Sequence, residues 1–142
     1  MRYLLDTNAC IRILNNSSPN LVERLRRHEP WEIGISSIVK AELTYGASKS
    51  SRISENLGLL ARFFEPFGSL PFDDASAEHY GVIRAELERV GNPIGPNDLF
   101  IAAAARAHGL ILVSHNLREF LRVSGLRVED WEEGPSAPPS SR

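Results

Sequence analysis

The chain has 142 residues, 42% hydrophobic and 24% charged, with a formal net charge of −2 at pH 7. That is the size and make-up of one globular domain able to bury roughly two-thirds of its unfolded surface. It lacks a global basic field, so a nucleic-acid partner would need a local patch. Its single cysteine, Cys10, excludes an internal disulfide and any cysteine-based zinc finger.

In chain order, "RYLLD" (2–6) is a brief apolar run that stops at a polar pair, the pattern of a short buried strand. "NACIRILNN" and "NLVERLRRHE" follow as two helices separated by the loop signal "NNSSP". "WEIGIS" (31–36) is a second strand leading into the Ser-capped helix "SSIVKAELTYGAS", which has a glycine near its end. "SRISENLGLLARFFEPF" makes a further helix stopped near Pro66, and "SLPFD" a third strand that carries a proline. "DASAEHYGVIRAELERVG", opening on Asp74 as its cap, has helical apolar spacing. "IGPNDLFIAAAARAHG" is an Ala-rich helix that must be buried on most sides, with Asn97 placed to cap it. "LILVSH" is a fourth strand, "NLREFLRV" a short helix, and "LRVEDW" a last strand. Residues 1–132 are expected to form the domain and 133–142, Pro/Ser-rich, a disordered tail. Short strands alternating with helices predict an α/β sandwich on a mainly parallel sheet, whose sites gather beyond the carboxyl ends of the strands.

Three acids fall where such a sheet would put a site. Asp6 ends the first strand, where a helix cap is the plainer role. Glu42 lies among Ile38, Tyr45 and Gly46 on a helical wheel at about 100° per residue, opposite Lys40 and Thr44. Inside an apolar arc it would need a cation, a proton or a donor, because an unpaired buried carboxylate costs several kcal/mol; a buried Arg partner, or an arc edge wetter than the wheel suggests, would account for it equally. Asp98 lies in the first helical turn, where the dipole favours an acid by about 0.3–1 kcal/mol. Should the fold bring the three together, their repulsion calls for a multivalent cation, and oxygen-only ligands suit Mg²⁺ or Mn²⁺.

The segments "YLLDTNACIRIL", "ISSIVKAELTYGA", "GNPIGPNDLFIAA" and "LILVSHNLREFLRVSGLRVEDW" together resemble, in order, the PIN-domain ribonucleases. Within that family the chain is similar to the VapC toxins of bacterial toxin–antitoxin pairs. The resemblance implies a PIN-like three-layer α/β/α sandwich and an acidic cluster at Asp6, Glu42 and Asp98. Where PIN domains often place a further acid, this chain has Asn116, as many VapC toxins do, and Ser114 stands where a Thr is common. Glu119 could supply the extra carboxylate, although an ion pair with Arg118 or Arg122 is the plainer expectation. His115 lies near the same rim.

The implied activity is Mg²⁺-dependent hydrolysis of RNA phosphodiester bonds, with Mn²⁺ a plausible substitute. Asp6 and Asp98 would hold the metal, and Glu42 would join directly or through water. The ion would activate a water for in-line attack and offset phosphate charge, leaving 5′-phosphate and 3′-hydroxyl ends. The substrate implied is RNA, specifically the anticodon stem-loop of initiator tRNA. Lys40, Lys49, Arg52, Arg84, Arg89 and Arg118 are candidate phosphate contacts that could ring the acids. Implied partners are a VapB-type antitoxin that covers the crevice and could insert an Arg among the carboxylates, and a second copy in a homodimer or a toxin–antitoxin hetero-oligomer; "LGLLARFF" would suit a dimer interface, although a buried core face explains it as well. No membrane is implied. "MRYLLDTNAC" is too short an apolar run for a signal peptide, no stretch approaches membrane-span length, and a reducing cytoplasm is expected.

Rival readings fit less well. A phosphoryl-aspartate hydrolase generally has a second acid two residues after the first, where this chain has Asn8. A receiver domain would carry an acidic pair and a late lysine that "LLDTN" and "LVSHN" do not offer, and no Gly-rich dinucleotide fingerprint follows the first strand. The non-enzyme alternative is a catalytically inactive PIN-fold binding or regulatory module.

Overall fold

The computed structural model describes residues 1–133; the expected tail, 133–142, lies outside the described residues except for its first residue. The chain runs β1 (Tyr3–Leu5), α1 (Thr7–Leu14), α2 (Pro19–Arg26), β2 (Ile33–Ser36), α3 (Ser37–Ser48), α4 (Ile53–Phe64), β3 (Gly68–Leu70), α5 (Asp74–Arg89), α6 (Pro96–Ala107), β4 (Ile111–Val113), α7 (Leu117–Phe120) and β5 (Arg127–Glu129). The five strands form one all-parallel sheet in the order β3-β2-β1-β4-β5, flanked by helices as an α/β/α sandwich. The register pairs Leu4 with Gly34 of β2 and Leu112 of β4. The inner strands β1, β2 and β4 are buried along their whole length, which is why they read as continuous apolar runs rather than alternations. The edges differ: β5 carries Arg127 and Glu129, and β3 is short and polar at Ser69.

This strand order decides where a site can be. From β1 the chain winds outward through β2 to β3, then returns to the other side of β1 for β4 and β5. The carboxyl end of β1 is therefore a topological switch point, where loops part and leave a crevice. Asp6 is the first residue beyond that end.

Several local expectations are corrected. The 3-10 turn Pro30–Glu32 precedes β2, and Trp31 is exposed rather than part of the strand. β3 ends at Leu70, before Pro71, so the proline removes no ladder bond. The cap of α5 is Asp73, not Asp74: its carboxylate accepts from the Ser76 N–H at 3.0 Å. Helix α6 has Gly95 at its cap with no side-chain bond, because Asn97 is used elsewhere.

Helix α6 ends as its sequence demands. Gly109, at φ +63°, turns the chain while the Leu110 N–H reaches back to the Ala105 carbonyl at 2.9 Å, closing a Schellman motif. The helix buries Ile101 through Ala105 completely, so its Ala-rich body packs close and fixes the position of its first turn. Behind the sheet, Trp131 is 1% exposed, stacks on His28 at 5.1 Å and meets Tyr3 edge-on. That contact anchors the chain just after β5.

Candidate active site

Each acid is carried by a different element that converges on the carboxyl end of β1. Asp6 caps α1, accepting from the Ala9 N–H at 2.8 Å, and the Ser114 hydroxyl after β4 donates to it. It is only 4% exposed, and that burial pushes its carboxyl above the usual range despite the two donors and the nearby Arg12.

Glu42 does not lie in the apolar arc of α3. That arc is Val39, Leu43 and Ala47; Glu42 is half-buried at its edge, with Tyr45 and Gly46 exposed beside it. A wheel drawn from the sequence counts Tyr45 and Gly46 as apolar, but neither faces the core. The donors that a part-buried carboxylate needs are present: Thr7 Oγ1 donates to Oε1 at 2.5 Å and Asn97 Nδ2 to Oε2 at 2.9 Å. One carboxylate thereby ties together the starts of α1 and α6.

Asp98 is half-buried in the first turn of α6, and its Oδ2 accepts from Asn116 Nδ2 at 3.5 Å. Its carboxyl is pushed up to about 6, first by burial and then by the negative charges of Glu119, Asp6 and Glu42. Glu119 is therefore part of the cluster, contrary to the expectation of a surface ion pair with Arg118 or Arg122. It accepts from the Gly95 N–H at 3.1 Å and from Asn116 Nδ2 at 3.0 Å, bonds that hold its own carboxyl below the usual range. Asn116 bridges Asp98 and Glu119 while its N–H donates to Ser114 Oγ at 2.9 Å.

The electrostatic result is simple. Among the described residues no Lys, Arg or His nitrogen lies within 4.0 Å of the carboxylates of Asp6, Glu42, Asp98 or Glu119. All their direct partners are neutral hydroxyls, amides and backbone N–H groups. The donor set is thus hard oxygen carrying net negative charge, which fits a hard divalent cation such as Mg²⁺ or Mn²⁺.

Sequence reading missed the participation of Thr7 and Asn97. Thr7 directly follows Asp6 in "LDTN", and Asn97 precedes Asp98, but nothing in their spacing shows that both meet Glu42. A second polar group also went unseen. His115 Nδ1 lies 2.9 Å from Asp130 Oδ2, and Glu132 pairs with Arg12 at 3.3 Å. Ligand atoms of His115, Asp130 and Glu132 all lie within 4.8 Å of one another.

Three of the six basic candidates are engaged with other side chains, while Arg118 lies near enough to Glu119 to act on its charge. Arg52 faces Glu55, Arg84 bonds Glu88 and Tyr80, and Lys40 donates to Ser69 over the Phe64 ring. Lys49 alone of the six lines the groove of about 600 Å³ that contains Thr7, Glu42 and Asn97. In "LGLLARFF", Leu60 is core and Phe63 and Phe64 pack against it, whereas Leu57 and Leu59 are exposed. No helix among the described residues is long and apolar enough to cross a membrane.

The PIN domain pattern matches residues 3–126. The chain is 45% identical over 131 residues to a tRNA(fMet)-specific endonuclease VapC of Shigella flexneri, covering 92% of this chain and 98% of that one. Its fold is similar to VapBC bound to DNA from Salmonella typhimurium, with a TM-score of 0.87, 43% identity and coverage of 92% and 98%. VapBC2 of Rickettsia felis, bound to a promoter DNA fragment, gives a TM-score of 0.85 at 38% identity, with coverage of 92% and 99%.

Proposed function

We infer function from one premise: the chain belongs to the PIN-domain family, among its VapC ribonucleases. It is the ribonuclease toxin of a toxin–antitoxin pair, hydrolysing RNA phosphodiester bonds with a divalent metal. The observation that carries the site assignment is the group of four carboxylates without a cation partner at the switch point of a parallel sheet.

In this reading Asp6 and Asp98 hold Mg²⁺, and Glu42 joins directly or through water. Bound there, the ion would lower the pKa of a water and offset charge on the scissile phosphate. The chain's own residues prepare that place. Ser114 and the Ala9 N–H orient Asp6; Thr7 and Asn97 fix both oxygens of Glu42; Asn116 holds Asp98 and Glu119 in fixed relation. Burial of Asp6 and half-burial of Asp98 limit solvent screening, so a bound cation is attracted more strongly than at an open surface.

The substrate we propose is initiator tRNA, cut in its anticodon stem-loop, by similarity to the tRNA(fMet)-specific relative. The partner is a VapB-type antitoxin that covers the crevice and supplies an Arg to the unpaired carboxylates. The exposed Leu57 and Leu59 of α4 support a homodimer face. Incubation with total tRNA and Mg²⁺, followed by mapping of the ends, tests the assignment. New 5′-phosphate ends in initiator tRNA, absent with EDTA, are expected; intact initiator tRNA would remove the substrate assignment.

A further inference from the structure

We propose that Tyr45, Gly46 and Lys49 form a nucleotide subsite that stacks an unpaired base of the RNA beside the scissile phosphate. The proposal rests on the ribonuclease reading and specifies how the groove would grip single-stranded substrate. Tyr45 is 65% exposed, an unusual position for an aromatic ring on a helix that packs against the core. It lies three residues after Glu42 on α3, hence on the neighbouring surface one turn further along. Lys49 Nζ sits 4.7 Å from its ring centroid, so a cation and an aromatic surface are presented together. All three residues line the same groove as Thr7, Glu42 and Asn97.

Gly46 adds room. A Cβ built there would meet nothing within 4 Å, so no neighbour in the chain requires glycine at this point. Glycine inside a helix is less favourable than alanine, and here it leaves bare backbone where a ribose or phosphate can approach closely. The chemistry is that of single-strand RNA grips: an aromatic face for any base and an adjacent cation for its phosphate. Lys49 shares the groove with Glu42 and with the apolar side chains of Ile11, Leu14, Leu43 and Leu59, so a cation for phosphate lies beside an apolar wall on which a base can rest.

The test combines kinetics and binding on the full chain. Tyr45→Ala should raise KM for an RNA stem-loop about tenfold, with a smaller change in kcat, and Tyr45→Phe should restore it. Gly46→Leu, whose Cβ meets nothing within 4 Å, should also raise KM. Binding is read separately with an Asp98→Asn protein and stem-loops carrying 2-aminopurine at loop positions. Stacking quenches the fluorescence at one position, and adding Tyr45→Ala should abolish that quench. Unchanged KM and unchanged quench in Tyr45→Ala overturn the subsite. The subsite is equally overturned if Tyr45→Ala and Gly46→Leu weaken only antitoxin binding, which would assign the patch to a protein. Failure of the wild type to cut any RNA would instead overturn the ribonuclease reading, and the quench would still decide whether Tyr45 stacks a base.

Discussion

Two acidic groups lie close together in this molecule and are treated in opposite ways. The group after β5 has a cation built in: Arg12 faces Glu132, while His115 lies against Asp130 and Asp130 Oδ1 accepts the Glu132 N–H at 2.9 Å. In the crevice, among the described residues, Asp6, Glu42, Asp98 and Glu119 hold neutral donors only, and Asp98 is pushed up to about 6 by burial and by its neighbours. A chain that neutralises one set of acids could have neutralised the other. The difference agrees with the proposed role of the crevice acids as ligands of an external cation, whereas Arg12 and Glu132 tie the fold to itself.

The comparison is broken most sharply by removing a crevice acid. Asp6→Ala or Asp98→Ala should lower RNA cleavage at least about 100-fold and abolish growth arrest on expression without antitoxin. Equal toxicity of wild type and both variants would remove the metal-site assignment. Glu132→Gln, in the compensated group, should leave cleavage within about threefold, since it disturbs only an ion pair.

pH gives the next effect. With Asp98 as the proposed metal ligand, binding needs it ionised, so at low metal concentration cleavage should fall about tenfold per pH unit below about 6. Raising the metal concentration should shift that midpoint to lower pH. A profile flat between pH 5 and 7 at limiting metal would contradict the coupling. Glu119→Gln removes the largest neighbouring charge acting on Asp98, so it should move the midpoint down while weakening metal affinity about tenfold.

The smallest effect is on stability, and its sign differs between the two groups. A carboxyl raised in the folded state binds its proton more tightly there than in the unfolded chain. Stability from Asp98 is therefore present at low pH and is lost as pH rises from about 4 through about 6. At pH 7 without metal, Asp98→Asn should raise Tm by about 2 °C, and the gain should vanish near pH 4. Glu132→Gln should lower Tm by about 1–3 °C at pH 7. Thermal scans with and without Mg²⁺ check both, and a metal-free wild type more stable than Asp98→Asn at pH 7 would refute the account.

Much of this molecule is legible in its sequence because the signals are local. Apolar runs bounded by polar pairs mark β1, β2 and β4, and Gly109 just beyond the alanines marks the end of α6. The strand–helix alternation fixes a parallel sheet, and the rule for such sheets places Asp6 at the site before the fold is known. Asp6, Glu42 and Asp98 are all visible as misplaced or strategically placed acids.

What the sequence could not determine is which neutral partner each acid meets, because that depends on distances across 35 to 55 residues of chain. A helical wheel puts Glu42 inside an apolar arc; the fold puts it at the edge, between Thr7 and Asn97. Local pairing with Arg118 or Arg122 is the natural role for Glu119, yet the approach of the Gly95 backbone and Asn116 turns it into the crevice. The sequence alone determined the inner strands β1 and β4, the end of α6 and the identity of the acids, all set by periodicity and backbone preference within a few residues. Only the tertiary structure decided which acids have no counter-charge among the described residues, because compensation is a property of distances between elements far apart in the chain.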